Sequence, residues 1–112
     1  MIQHYSFGRL NLQGQLYTSD LIILPHKIIH PWWRKSGHKL ILADLEELWT
    51  EQIEALVVGT GFFGLMRVAK EVAARCQKEK IKLYTLKTGE AVKLFNSLSN
   101  QVLVAGAFHL TC

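Results

Sequence analysis

The sequence predicts an α/β domain: one compact unit with a mixed, mostly parallel sheet flanked by helices and an N-terminal antiparallel β-hairpin. Three observations carry this. From Ala55 onward, strand-like and helix-like segments alternate as strand, helix, strand, helix, strand, which favours right-handed crossovers and parallel pairing. Near the start, Gln13-Gly14 separates two extended segments, as a hairpin turn does. Ala55–Val58 and Val102–Phe108 are small and apolar throughout, the composition of strands covered on both faces.

Phe7 to Leu12 sets Phe7, Arg9 and Asn11 against Gly8, Leu10 and Leu12, and Gln15 to Thr18 returns after the turn. Leu21–Leu24 is a third strand that must stop at Pro25, which has no N–H for a ladder. Residues 26 to 39 have no clean period and read as loop, with short extended pieces around Ile28 and Ile29. Asp44, with Glu47 three residues on, predicts the start of a short helix carrying Leu45, Leu48 and Trp49 on one face.

Glu51 to Glu54 then connects to the buried strand Ala55–Val58, which leads into the glycines. Ala69 to Lys80 is a helix with Val72, Ala73 and Cys76 on its apolar face, and Lys78 and Lys80 suit the negative end of its dipole. Ile81–Leu86 is a strand. Thr88 caps a helix to about Leu98 built on Val92, Phe95 and Leu98, and Val102–Phe108 is the last and central strand.

Composition bounds the function. The 112 residues make a single domain spanning 1–112, and 49% hydrophobic with 20% charged residues is the balance of a globular protein. The longest apolar runs fall far short of the roughly 20 residues a membrane helix needs, and residues 1–10 have no signal-peptide pattern. These features predict a cytoplasmic protein that does not enter a membrane. Cys76 and Cys112 fit no C-x-x-C pattern and read as free thiols, Cys76 in the core. The net charge of +4 equals Lys27, Arg34, Lys35 and Lys39, which occupy an acid-free stretch between Asp20 and Asp44.

Two features could carry function. Gly59, Gly61 and Gly64 follow a strand with the spacing of a dinucleotide fingerprint. The next helix starts late, however, Leu86-Lys87-Thr88 offers no acid for a ribose, and the chain has no room for a second mononucleotide half. The second feature is the cationic loop Trp32, Trp33, Arg34, Lys35 and His38. It lacks any nucleic-acid-binding motif, and four cations give only modest, salt-sensitive affinity, so nucleic acid is disfavoured. The loop suits a protein partner, with one tryptophan buried and its neighbour exposed.

The five histidines show no metal-ligand spacing, and His109 with Cys112 is too small a set for a metal or a nucleophile pair. No cofactor, metal or catalytic set is predicted.

The chain resembles the Mth-type domain family of uncharacterised proteins. The resemblance rests on Tyr5-Ser6-Phe7-Gly8, Tyr17-Thr18-Ser19-Asp20-Leu21-Ile22-Ile23, and Trp32-Trp33-Arg34-Lys35-Ser36-Gly37-His38. It continues through Asp44-Leu45, Val57 to Gly64, Thr88, Ala91 to Asn96, and His109 to Cys112. The family includes the adipogenesis-associated Mth domain-containing protein and mitochondrial respiratory complex I assembly factor 3. It implies a compact α/β domain, no established reaction or cofactor, and, for the mitochondrial members, assembly through protein contacts, with a dimer among the forms the resemblance implies. Ala69 stands where members often have proline, which implies a looser start to the following helix.

Together these readings predict a shared cleft of Gly59, Thr60, Gly61 and Gly64 with His109, Thr111 and Cys112, since loops at the carboxyl ends of parallel strands line the usual crevice. The expected function is a non-catalytic interaction or assembly domain that binds a protein partner through Trp32, Trp33, Arg34, Lys35 and His38, with a homodimer as one form. The alternative is a small-ligand or nucleotide-binding protein or enzyme using the glycine turn. That alternative needs free N–H groups facing a deep pocket, which Phe62 or Phe63 would close by packing inward.

Overall fold

A computed structural model describes Met1–Cys112. The elements are β1 (Ile2–Ser6), β2 (Arg9–Leu12), β3 (Gln15–Tyr17), β4 (Leu21–Ile23), β5 (Ile28–Ile29) and β6 (Lys39–Leu40), followed by a 3-10 helix (Leu42–Thr50). Then come β7 (Ala55–Thr60), β8 (Arg67–Val68), α1 (Lys70–Lys78), β9 (Lys82–Leu86), α2 (Thr88–Ser99) and β10 (Val104–His109). No helix is long and apolar enough to cross a membrane.

The main sheet has the order β5-β4-β10-β7-β9. β10 lies at its centre, parallel to β7 and antiparallel to β4, and β9 is parallel to β7. The mixed sheet therefore agrees with the expectation. The path from β7 through α1 to β9 moves one way across the sheet, and the path from β9 through α2 to β10 moves back past β7. Right-handed crossovers in opposite directions put their helices on opposite faces.

The core divides accordingly. Leu56, Val58, Ala105 and Ala107 face Val72 and Cys76 of α1 and Leu45 and Leu48 of the 3-10 helix. Ala55, Val57, Val104 and Phe108 face Ala91, Val92 and Phe95 of α2 with Leu10 and Leu12 of β2. Each fully buried Leu or Phe here contributes roughly 1.5–3 kcal/mol over exposure, before the entropy of ordering is subtracted.

The hairpin forms around Gln13 and Gly14, both at positive φ, but β1, β2 and β3 make their own antiparallel sheet instead of extending the main one. Only β4 and β5 add antiparallel strands to the main sheet. β1 has no apolar run to announce it and is held by Asn96 of α2, whose side chain accepts from Ile2 N–H (2.9 Å) and donates to Ile2 C=O (2.8 Å).

Asp44 is the third residue of the 3-10 helix and not its cap. Its carboxylate reaches back to accept from Ile41 N–H (3.0 Å) and Lys35 N–H (3.2 Å), and its carbonyl accepts from the Trp32 indole (3.0 Å). Ala69 is no loose joint: its N–H donates to Leu40 C=O (2.9 Å), a bond proline could not make.

Candidate functional site

The carboxyl ends of β7 and β10 lie side by side, with Gly59 opposite Phe108 and Thr60 opposite His109. Gly59 and Thr60 are the end of strand β7, so the turn proper begins at Gly61. The predicted neighbours do converge here, but the segment after β10 fills the crevice. Phe62 N–H donates to Thr111 C=O (2.6 Å), Leu65 N–H to Cys112 C=O (3.1 Å) and Gly64 N–H to Gly61 C=O (3.1 Å). Gly61 has φ +108°, and a Cβ there would overlap the Cys112 carbonyl group and come within 2.9 Å of the His109 ring. The missing side chain makes room for the chain's own backbone.

Thr88 locks this crossing from below. It is the first residue of α2, and its fully buried hydroxyl accepts from Gly61 N–H (2.8 Å) and donates to His109 C=O (2.6 Å). Thr88 N–H donates in turn to Gly61 C=O (3.0 Å). The residue predicted to cap a helix instead ties together the ends of β7 and β10 and the start of α2. Thr60 Oγ1 donates to Leu86 C=O (3.0 Å) and secures β9 to the same point.

Above the crevice sits a charged cluster centred on Asp20, the one acid among residues 1–43. Asp20 Oδ2 lies 2.7 Å from Arg34 Nη1 and 2.7 Å from His109 Nδ1, and Oδ1 accepts from Leu110 N–H (2.8 Å). The carboxylate can only accept, so His109 Nδ1 carries the proton in that contact. Arg34 Nη2 donates to Gly37 C=O (3.1 Å). Burial opposes ionisation of Asp20 most strongly, but the hydrogen bonds from His109, Leu110 and Arg34 outweigh it and hold the carboxyl below its ordinary range. Asp20 carried no functional signal of its own in the sequence beyond being isolated among cations.

The cluster has the acid and histidine of a catalytic relay but no third member. His109 Nε2 is buried without a partner, and the Cys112 thiol makes no hydrogen bond to the ring. Burial pushes the other thiol, Cys76, up to about 11, as befits an inert core residue.

The tryptophan loop is split between inside and outside. Trp32 is buried, with the Arg34 guanidinium 4.8 Å above its ring, whereas Trp33 is 81% exposed. Arg34 is committed to Asp20, which leaves Trp33, Lys35 and His38 as the outward members of the predicted partner surface. His38 also approaches the crevice, its ring 6.3 Å from that of His109.

Phe62 and Phe63 do not pack inward. With Phe7 they form a surface platform whose ring centroids lie 5.1 to 6.2 Å apart, and Phe7, Phe62, Phe63 and Leu65 are each about half exposed. This patch stands on the glycine turn, because Gly61 to Gly64 bends out over the terminal segment. The sequence pattern Phe7-Gly8 and Phe62-Phe63-Gly64 holds these rings in plain view, yet only the fold brings them together.

The arrangement defines a class: a small mixed-sheet α/β domain whose strand-end crevice is sealed by its own backbone and buttressed by an Asp-His-Arg cluster. Residues 2–109 match the family described as protein of unknown function (DUF498/DUF598), and the chain belongs to that family, the Mth-type domain. It is similar to the conserved hypothetical protein PH1505 from Pyrococcus horikoshii OT3, at 26% identity and TM-score 0.83 over 100% of this chain and 99% of that one. It is similar to MT938, at 27% identity and TM-score 0.82 over 100% and 98% of the two chains. An outer membrane protein from Bartonella henselae also matches, at 26% identity and TM-score 0.83 over 99% and 94%.

Proposed function

We propose that this chain is a non-catalytic protein-interaction domain of the cytosol, of the kind that serves in assembling larger complexes. The observation that carries the reading is the aromatic platform of Phe7, Phe62 and Phe63, which leaves three rings half in water at one spot, with exposed Leu65 two residues further along the chain. Contiguous exposed aromatics cost solubility, and aromatic anchors dominate binding energy at interfaces. Exposed Trp33 and Lys35 supply a second outward feature on the loop first expected to meet a partner.

The glycine turn supports the nucleotide alternative poorly. A phosphate cradle presents unpaired N–H groups, whereas those of Gly61, Phe62, Gly64 and Leu65 are already bonded within the chain. A photo-crosslinking residue at position 65, introduced in cells, tests the proposal. We expect a discrete protein adduct that disappears when Phe7→Ser and Phe63→Ser are combined, and an adduct with a second copy of this chain would make the partner a homodimer. The absence of any adduct, together with a rise in melting temperature on adding nucleotides, flavins or metal ions, would reverse the assignment.

A further inference from the structure

The main sheet ends at β5 on one side and at β9 on the other. β5 has two residues, but β9 has five and pairs only with β7. Lys82 N–H donates inward to Glu54 C=O (3.0 Å), so the two-residue repeat turns Tyr84 and Leu86 inward as well. The N–H and C=O groups of Leu83 and Thr85 therefore face outward. Such an edge is a template for another strand.

Beside it, on the α1 face, lies a groove of about 570 Å³ between Leu83 and Thr85 of the strand, Lys70 and Ala73 of α1, and Arg67 of β8. The surrounding sequence has one sign. Residues 67–87 hold seven Lys or Arg against two acids, and one of those acids, Glu79, is paired with Arg75 (2.9 Å). The compensating acids occupy residues 44–54, which contain five Asp or Glu and no Lys or Arg. Three of them, Asp44, Glu46 and Glu47, line a cleft at the β5 side of the sheet with Ile29. The β9 edge and the groove beside it are thus basic, with Arg67, Lys70 and Lys82 at hand.

We propose that the β9 edge accepts an extended acidic segment of a partner protein as a sixth strand. Main-chain bonds would form with Leu83 and Thr85, and alternate side chains of the added strand would lie over the groove against Arg67 and Lys70. The intervening side chains fall on the opposite face, beside Lys82. Peptide spacing matches the outward N–H and C=O groups of the edge, which a sugar-phosphate backbone does not, so the geometry favours a peptide over a nucleic acid. This surface adjoins the aromatic platform, since Gly64 of the turn lines one end of the groove, but none of the platform's rings lines it, and the two share the premise that the chain binds protein.

Selection from a display library of random ten-residue peptides, using the full chain as bait, tests the assignment. Enriched peptides should carry acids at alternate positions. In fluorescence anisotropy, their Kd should weaken tenfold or more with Arg67→Glu/Lys70→Glu, and equally when alternate peptide nitrogens are methylated. Binding should stay within twofold in Phe7→Ser/Phe63→Ser, and amide exchange at Leu83 and Thr85 should slow. The inference is overturned if acids are not enriched, if N-methylation has no effect, or if a single-stranded oligonucleotide displaces the peptide at the same cations. Peptides that instead map to the aromatic platform would overturn it too, while upholding the interaction reading above.

Discussion

Replacing Gly61 by alanine separates a structural crossing from a ligand cradle. The substitution has two costs. Holding alanine at φ +108° costs on the order of 1–3 kcal/mol. The new Cβ also overlaps the Cys112 carbonyl, which is backbone and cannot swing aside, so the terminal segment must lift. Lifting it breaks the bonds Phe62 N–H to Thr111 C=O and Leu65 N–H to Cys112 C=O, at about 1 kcal/mol each.

The total is roughly 3–5 kcal/mol, a large share of the roughly 5–15 kcal/mol that holds a domain together. Gly14→Ala is the control: it has φ +82° and nothing within 4 Å of the added Cβ, so only the backbone cost of about 1 kcal/mol applies. At about 4–8 °C per kcal/mol for a domain near this size, the difference of roughly 2–4 kcal/mol should make Gly61→Ala melt about 8 °C or more below Gly14→Ala in a thermal scan, with urea unfolding giving the same order. Equal losses for the two variants would refute the crossing. So would a Gly61→Ala protein of native stability.

Three further outcomes follow from the same geometry. Asp20→Asn strands Arg34 and His109 without their shared anion and should cost roughly 3 kcal/mol at neutral pH by urea unfolding. Because the folded Asp20 carboxyl is held below its unfolded value near 4, its contribution is present above that pH and lost as pH falls through the folded value; the wild-type stability curve should therefore slope below about pH 4 and flatten there in Asp20→Asn. Thr88→Val removes the buried hydroxyl between Gly61 N–H and His109 C=O and should cost about 1–3 kcal/mol, whereas replacement by serine should cost far less, checked by the same unfolding curves. Trp32→Ala should destabilise by roughly 3–5 kcal/mol and Trp33→Ala by less than about 0.5, which tryptophan fluorescence and thermal melts distinguish.

The sequence by itself determined the elements whose signal is local. Val57 and Val58, Ala105 and Ala107, and the faces built on Val72 and Cys76 or Val92 and Phe95 announce their strands and helices, because covered strands are uniformly apolar and covered helices recur every three to four residues. The small, apolar composition of Val102–Phe108 was enough to place β10 centrally, and pairing it with β7 as a parallel neighbour was enough to bring Gly61 near His109. The family, too, was legible in the combination of short motifs, and Trp32 and Trp33 divide into buried and exposed as their setting suggested.

Only the tertiary structure decided what the glycines serve. Positive φ at Gly61 answers equally to a phosphate or to a crossing chain, and the choice rests on where Thr111 and Cys112 arrive, about fifty residues later. Asp20, Arg34 and His109 form one cluster although 14 and 75 residues separate them, so no spacing rule could join them. β1, a mostly polar strand, pairs with its neighbour β2, but its first residue is also tied to Asn96 across 94 residues. In each case the deciding interaction is a hydrogen bond or charge pair between distant segments, and such partners become neighbours only after the apolar faces have packed.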